Sequence, residues 1–187
     1  MSIKIPDECY SILAKNIKCD LSNIQKDIEK EVSGFFYEIQ KDYEPPFLAV
    51  ESANFIGIDK VLIDPYLKKG QGRLIPYYDE NDKTAFKIIV DGEDDDSEKR
   101  FTVVHETSHR LSEYDLEGHK LINFKHELVF EDSSNYLARI ILMPAWDFKK
   151  KVRELDYNIK GLSELYVCPK YTVEARIAEL KNYQINY

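Results

Sequence analysis

No run of this 187-residue sequence approaches the roughly 20 consecutive apolar residues that cross a bilayer, and its first ten residues, MSIKIPDECY, lack the apolar stretch of a secretory signal. The chain is therefore expected to be cytoplasmic, with no membrane partner. Cysteine is scarce too: Cys9, Cys19 and Cys168 are an odd number without CxxC spacing, which argues against a disulfide framework and against a cysteine-rich metal site. Positive charge is also short. With 26 Lys and Arg against 34 Asp and Glu, the formal net charge of −8 gives a polyanion such as DNA no general attraction, so no direct nucleic-acid partner is expected.

What is present is the composition of a packed domain: 43% hydrophobic residues, with 13 Tyr and 9 Phe. The length suits one domain and a small extension. Between Leu21 and Gln40, Ile24, Ile28, Val32, Phe35, Phe36 and Ile39 recur at three- and four-residue intervals and so share one helical face. Pro45-Pro46 interrupts that pattern, which divides the chain into an N-terminal helical extension, 1–45, and a main domain, 46–187.

Within the main domain, a helix is expected from Pro46 to Phe55 with Gly57 just past its end, then a strand over Lys60–Ile63. Arg73–Tyr78 and Ala85–Val90 flank the polar turn Asp79–Lys83 and read as a hairpin. The acidic run Glu93–Asp96 reads as a solvated loop, because adjacent carboxylates do not converge easily on one ion. Ser97 is the expected cap of a helix from Glu98, and further helices are expected over 131–142, 147–155, 161–167 and 172–183.

The helix after Ser97 carries His105-Glu106-Thr107-Ser108-His109, an HExxH pattern. Two imidazoles four residues apart lie on one face and reach one cation, while Glu106 is placed to take a proton from water and later hand it to a leaving amine. A catalytic zinc ordinarily has three protein ligands. A third histidine in a helical extension of this motif is excluded, because position 112 is Ser and position 115 is Asp. Glu131, at the start of the next patterned helix, is far enough along for the chain to turn and bring a carboxylate back, and Asn135 one turn later is placed to hold a ligand histidine by a hydrogen bond.

At this point the chain resembles the ImmA/IrrE family of zinc metallopeptidases. The family pattern is matched by Arg100-Phe101, by His105-Glu106-x-x-His109, by Glu131-Asp132-Ser133-Ser134-Asn135-Tyr136-Leu137-Ala138, and by Leu142-Met143-Pro144. Thr107-Ser108 stand where the family often has Leu-Gly, Ser134 where it has Ala, and Leu137 where it has Phe. The resemblance implies Zn²⁺ held by His105, His109 and Glu131, with Glu106 as general base. It also implies a compact gluzincin-like α+β fold, in which a small twisted sheet packs against the HExxH helix and a second ligand-bearing helix. The substrate it implies is a helix-turn-helix transcriptional repressor, cleaved to control a mobile element or a stress response. The competing expectation is a zinc-stabilised module that sequesters a regulator without cutting it.

His119, His126, Tyr114 and Tyr136 lie near enough in sequence to stabilise an oxyanion, but ordinary surface and core roles suffice for each and none is assigned. The short segments around Val167–Leu180 have the length of a DNA-reading helix pair. Lys170, Arg176 and Lys181 there are offset by Glu174 and Glu179, so packing against the core is expected instead.

Overall fold

The computed structural model describes residues 21–113 and 127–182. Among them the chain forms seven helices and a three-stranded sheet, the expected α+β class. Helices α1 (Leu21–Gln40) and α2 (Ala49–Phe55) precede strands β1 (Ile58–Asp64), β2 (Gly72–Tyr78) and β3 (Thr84–Asp91). Helices α3 (Asp96–Glu113), α4 (Glu127–Leu142), α5 (Ala145–Glu154), α6 (Ile159–Tyr166) and α7 (Lys170–Asn182) follow. No described helix is long and apolar enough to cross a membrane.

The apolar face of α1 buries Val32 and Phe36 in the same core as Ile140 and Ile141 of α4. Each such side chain contributes about 1.5–3 kcal/mol when fully buried. Gln40 fastens the end of α1 by donating from Nε2 to the Ile141 carbonyl at 2.8 Å. Helix α2 starts at Ala49 rather than at Pro46, and Phe47 gives the reason. Its ring is buried against Trp146 and Tyr166, and its carbonyl accepts a hydrogen bond from Arg100 Nη2 at 2.6 Å, so the backbone stays extended through Leu48. The helix ends as expected before Gly57, whose φ of +84° is open to glycine without the Cβ penalty.

The expected hairpin is β2–β3, closed by a turn in which Asp79 Oδ1 accepts the Asn81 and Lys83 amides at 2.8 and 2.9 Å. Strand β1 adds in parallel to the other side of β3, giving the order β1-β3-β2. The central strand alternates in the way a half-covered sheet requires: Phe86, Ile88 and Val90 are buried, while Lys87 and Ile89 are only partly so. β2 lies at an edge, where Pro76 needs no second hydrogen-bonding partner.

Helix α3 begins at Asp96, ahead of the expected Glu98. Asp95, not Ser97, is the cap: its Oδ1 accepts the amides of Ser97 and Glu98 at 2.9 and 3.0 Å and the Ser97 hydroxyl at 2.7 Å. These bonds, led by the hydroxyl's, hold the Asp95 carboxyl below its ordinary pKa. Asp94 turns inward and accepts the Gly70 amide with both carboxylate oxygens, at 3.2 and 3.1 Å. The acidic run is thus partly a structural fastening and not simply a solvated loop. From this start α3 runs across β2 and β3, with α2 and α4 also packed on it.

Helix α7 faces the core with Val173, Arg176 and Ile177. Arg176 is completely buried, donates through Nη1 to Glu29 Oε2 of α1 at 2.8 Å, and through Nε to the Met143 carbonyl at the end of α4 at 2.9 Å. A guanidinium this deep is stable only with a carboxylate and carbonyls around it.

Candidate metal centre

Helical spacing brings the two motif histidines together at the centre of α3. Their Nε2 atoms lie 2.8 Å apart, and the rings stand nearly perpendicular, with centroids 4.5 Å apart. Ligand atoms of His105, Glu106 and His109 all fall within 4.8 Å of one another. Glu106 and His109 are buried, and His105 is half-buried at the floor of a cleft of about 470 Å³. Thr107 and Ser108, the departures inside the motif, are fully buried, and their hydroxyls donate back along the helix to Val103 and Val104 carbonyls at 2.7 and 2.8 Å. The helix therefore accommodates them without leaving either hydroxyl bare.

Helix α4 sets the chemistry of the rings from behind. Asn135 Oδ1 lies 3.0 Å from His105 Nδ1. An amide oxygen only accepts, so His105 Nδ1 carries a proton, and Nε2 is the ring nitrogen that faces His109. Ser134 Oγ lies 3.2 Å from His109 Nδ1. Burial, and then the neighbouring His105, push the His109 pKa down to about 4, so this ring is neutral near pH 7. The facing Nε2 atoms, 2.8 Å apart, are reconciled either by an Nε2–H of His109 that donates to His105 Nε2 or by a cation held between the two lone pairs. A donor set of two imidazole nitrogens beside a carboxylate fits a divalent metal ion of borderline softness.

The cleft runs beside the start of edge strand β2. Gly70, Gln71, Gly72 and Arg73 form one rim, with Phe101, Glu98 and Tyr171 among the residues lining the rest. Gly72 matters through what it lacks. A Cβ there would lie 2.5 Å from Thr102 Cγ2, 2.7 Å from Glu106 Oε1 and 2.9 Å from Glu106 Cγ, so the bare glycine lets the strand and the buried glutamate pass within contact. Across the cleft, the Tyr171 hydroxyl donates to Glu98 Oε2 at 3.0 Å while its ring meets Phe101 edge-on. Burial and the Glu98 carboxylate raise the Tyr171 pKa to about 12, keeping the phenol protonated.

The residues expected from sequence are distributed as follows. His105, Glu106, His109 and Asn135 are brought together. Glu131 lies on α4, one turn before Asn135, and its side chain is outside the described residues, as are Tyr114, His119 and His126. Tyr136 points its hydroxyl at Glu29 Oε2, 3.4 Å away in the buried network, and is not an oxyanion donor here. Sequence reasoning missed Ser134, Gly72 and Tyr171. Ser134 had a signal, since it is three residues after Glu131 and adjacent to Asn135. Gly72 and Tyr171 had none, because their partners on α3 are remote in sequence.

The profile of the IrrE N-terminal-like domain family, Peptidase_M78, matches residues 66–178, a span from just after β1 to near the end of α7 that takes in both motif helices. No curated protein matches significantly. With more than half of its length matched and a His-Glu-His group able to hold a metal in the matched span, the chain belongs to the IrrE N-terminal-like family of metallopeptidases.

Proposed function

We propose that the protein is a zinc-dependent endopeptidase that acts in the cytoplasm on a helix-turn-helix transcriptional repressor, and so controls a mobile element or a stress response. The observation that carries the peptidase reading is the convergence of two imidazoles, each contacted at Nδ1 from α4, beside the buried carboxylate of Glu106. The repressor as substrate rests on the family resemblance alone.

In this reading His105 and His109 hold the ion through Nε2, and Glu131 completes the set with its carboxylate. Two imidazoles and one carboxylate are a donor set that would favour zinc over iron or manganese. When bound, the ion supplies Lewis acidity toward water and the scissile carbonyl. Glu106 would accept a proton from the attacking water on a carboxylate oxygen as the C–O bond forms at the scissile carbon, and then deliver it to the amine nitrogen as the peptide C–N bond breaks. A substrate in extended form is held along β2, whose one paired edge faces β3 and whose rim opens on the cleft.

The test is Glu106→Gln. It should retain zinc and lose cleavage by at least about 10²-fold, the contribution expected of a general base. Incubation with the repressor encoded nearest to it, with and without chelator, supplies the assay. Cleavage by Glu106→Gln at the wild-type rate sinks the catalytic assignment, and a stable uncut complex with wild type replaces cleavage by sequestration.

A further inference from the structure

Consecutive residues of α4 address the two motif histidines. Asn135 Oδ1 is 3.0 Å from His105 Nδ1, and Ser134 Oγ is 3.2 Å from His109 Nδ1, with Ser134 wholly buried. The two contacts are not chemically equal. The amide oxygen accepts only, so it fixes the His105 tautomer outright. A hydroxyl both donates and accepts, so it satisfies His109 Nδ1 in either tautomer.

We infer that Ser134 is a positioning residue for the metal site, its hydroxyl accepting the His109 Nδ1 proton and thereby holding the Nε2 lone pair toward the ion. The inference rests on the metal-site reading above and adds to it the residue that orients the second imidazole. It follows from geometry. For Nε2 of a neutral His109 to serve as a ligand, the ring proton must reside on Nδ1, and a buried N–H without an acceptor is destabilising. Among the described residues Ser134 stands within hydrogen-bonding distance of that nitrogen. Alanine, the residue that the family pattern places there, offers no acceptor. This chain therefore holds both imidazoles by side chains from one helical turn, whereas an alanine at 134 would leave the second ring to other contacts.

The experiment compares wild type, Ser134→Ala and Ser134→Thr for zinc binding by competition with a chromophoric chelator. Thermal melting of the metal-free proteins is measured alongside. Imidazole ¹⁵N–¹H correlation spectra of the zinc-loaded forms report the protonated ring nitrogen directly. Loss of an outer hydrogen bond to a metal-bound histidine typically weakens metal binding about 10- to 100-fold. Ser134→Ala should fall at the low end, about tenfold, because hydroxyl-to-imidazole contacts are neutral ones. Its His109 Nδ1–H resonance should broaden or vanish through exchange with water, while the melting temperature of the metal-free protein changes little. Ser134→Thr, which keeps the hydroxyl, should restore both readouts; if its added methyl lowers the metal-free melting temperature, Ser134→Ala decides alone. Zinc affinity of Ser134→Ala within about twofold of wild type, with the Nδ1–H signal unchanged, overturns the assignment of Ser134. Wild type that takes up no zinc overturns the metal reading itself, a different and separable result.

Discussion

Adding one methyl group at residue 72 probes the closest approach in the site. An alanine Cβ there would stand 2.5 Å from Thr102 Cγ2 and 2.7 Å from Glu106 Oε1, about 1 Å inside the ordinary carbon–carbon separation of roughly 3.5–4.0 Å. Gly72 is not among the positive-φ residues, so alanine adds no backbone strain and the contact alone is tested. Either the strand and α3 separate or the two side chains move. Overpacking of this size costs about 1–3 kcal/mol of stability. A second effect falls on catalysis, since a group displaced by about 1 Å loses on the order of 10²-fold in rate. That is about 2.7 kcal/mol of transition-state stabilisation. The assay is kcat and KM for a repressor-derived peptide, with zinc content measured on the same samples. Gly72→Ala should bind zinc normally and lose kcat more than it raises KM. Adding Thr102→Ser removes the nearest clash and should recover part of the loss. A Gly72→Ala enzyme with full zinc and kcat within about threefold of wild type refutes the idea that this notch positions Glu106.

Arg176→Met leaves Glu29 buried without its cation and should lower stability by about 3–5 kcal/mol in urea denaturation; a change under about 1 kcal/mol means the pair does not hold α1 in place. Replacing both, as Glu29→Leu with Arg176→Met, should recover most of that loss, and failure to do so shifts the weight to the Met143 carbonyl bond. The depressed pKa of His109 makes a signed prediction for the metal-free protein. Its folded value of about 4 lies below the ordinary 6.5, so the unfolded chain binds more protons between those values and this group's contribution is lost as pH falls from about 6.5 to 4. The loss is at most about 3 kcal/mol, and it should be absent from His109→Gln; an equal acid-side decline in that variant assigns the effect to other groups.

The elements most legible in the sequence were those in which local pattern and tertiary packing agree. The period of Ile28, Val32 and Phe36 names the buried face of α1, and the polar turn at Asp79–Lys83 names the β2–β3 hairpin. The parallel seat of β1 on the far side of β3 was not legible, because parallel pairing joins segments without a turn signal between them. Local chemistry misled where a tertiary contact outcompeted it: Phe47 would be a first-turn residue by spacing, yet burial against Trp146 and Tyr166 keeps it out of α2. Likewise Ser97 and Asp95 are both competent caps, and the three donors that converge on Asp95 Oδ1 decide between them. In the site, HExxH was legible because one helix supplies its geometry. Gly72 was not, since a missing side chain leaves no chemical trace until its neighbours are in place.

The order of residues on α4 links the metal site to the N-terminal helix. Ser134 contacts His109, Asn135 contacts His105, and Tyr136 reaches Glu29, which is paired with Arg176. Successive positions on a helix are rotated by about 100°, so three neighbours that each meet a different partner leave α4 almost no freedom to turn about its axis. A slip of one residue would remove the acceptor from His105 and place the tyrosine ring against the imidazoles. A purely apolar contact between α1 and α4 would tolerate small rotations, because apolar packing has weak directional preference. The buried carboxylate and guanidinium do not tolerate them, since any shift that parts them leaves a charge uncompensated. On this view Glu29 and Arg176 contribute less to net stability than to the register of α4, and through that register to the orientation of both imidazoles.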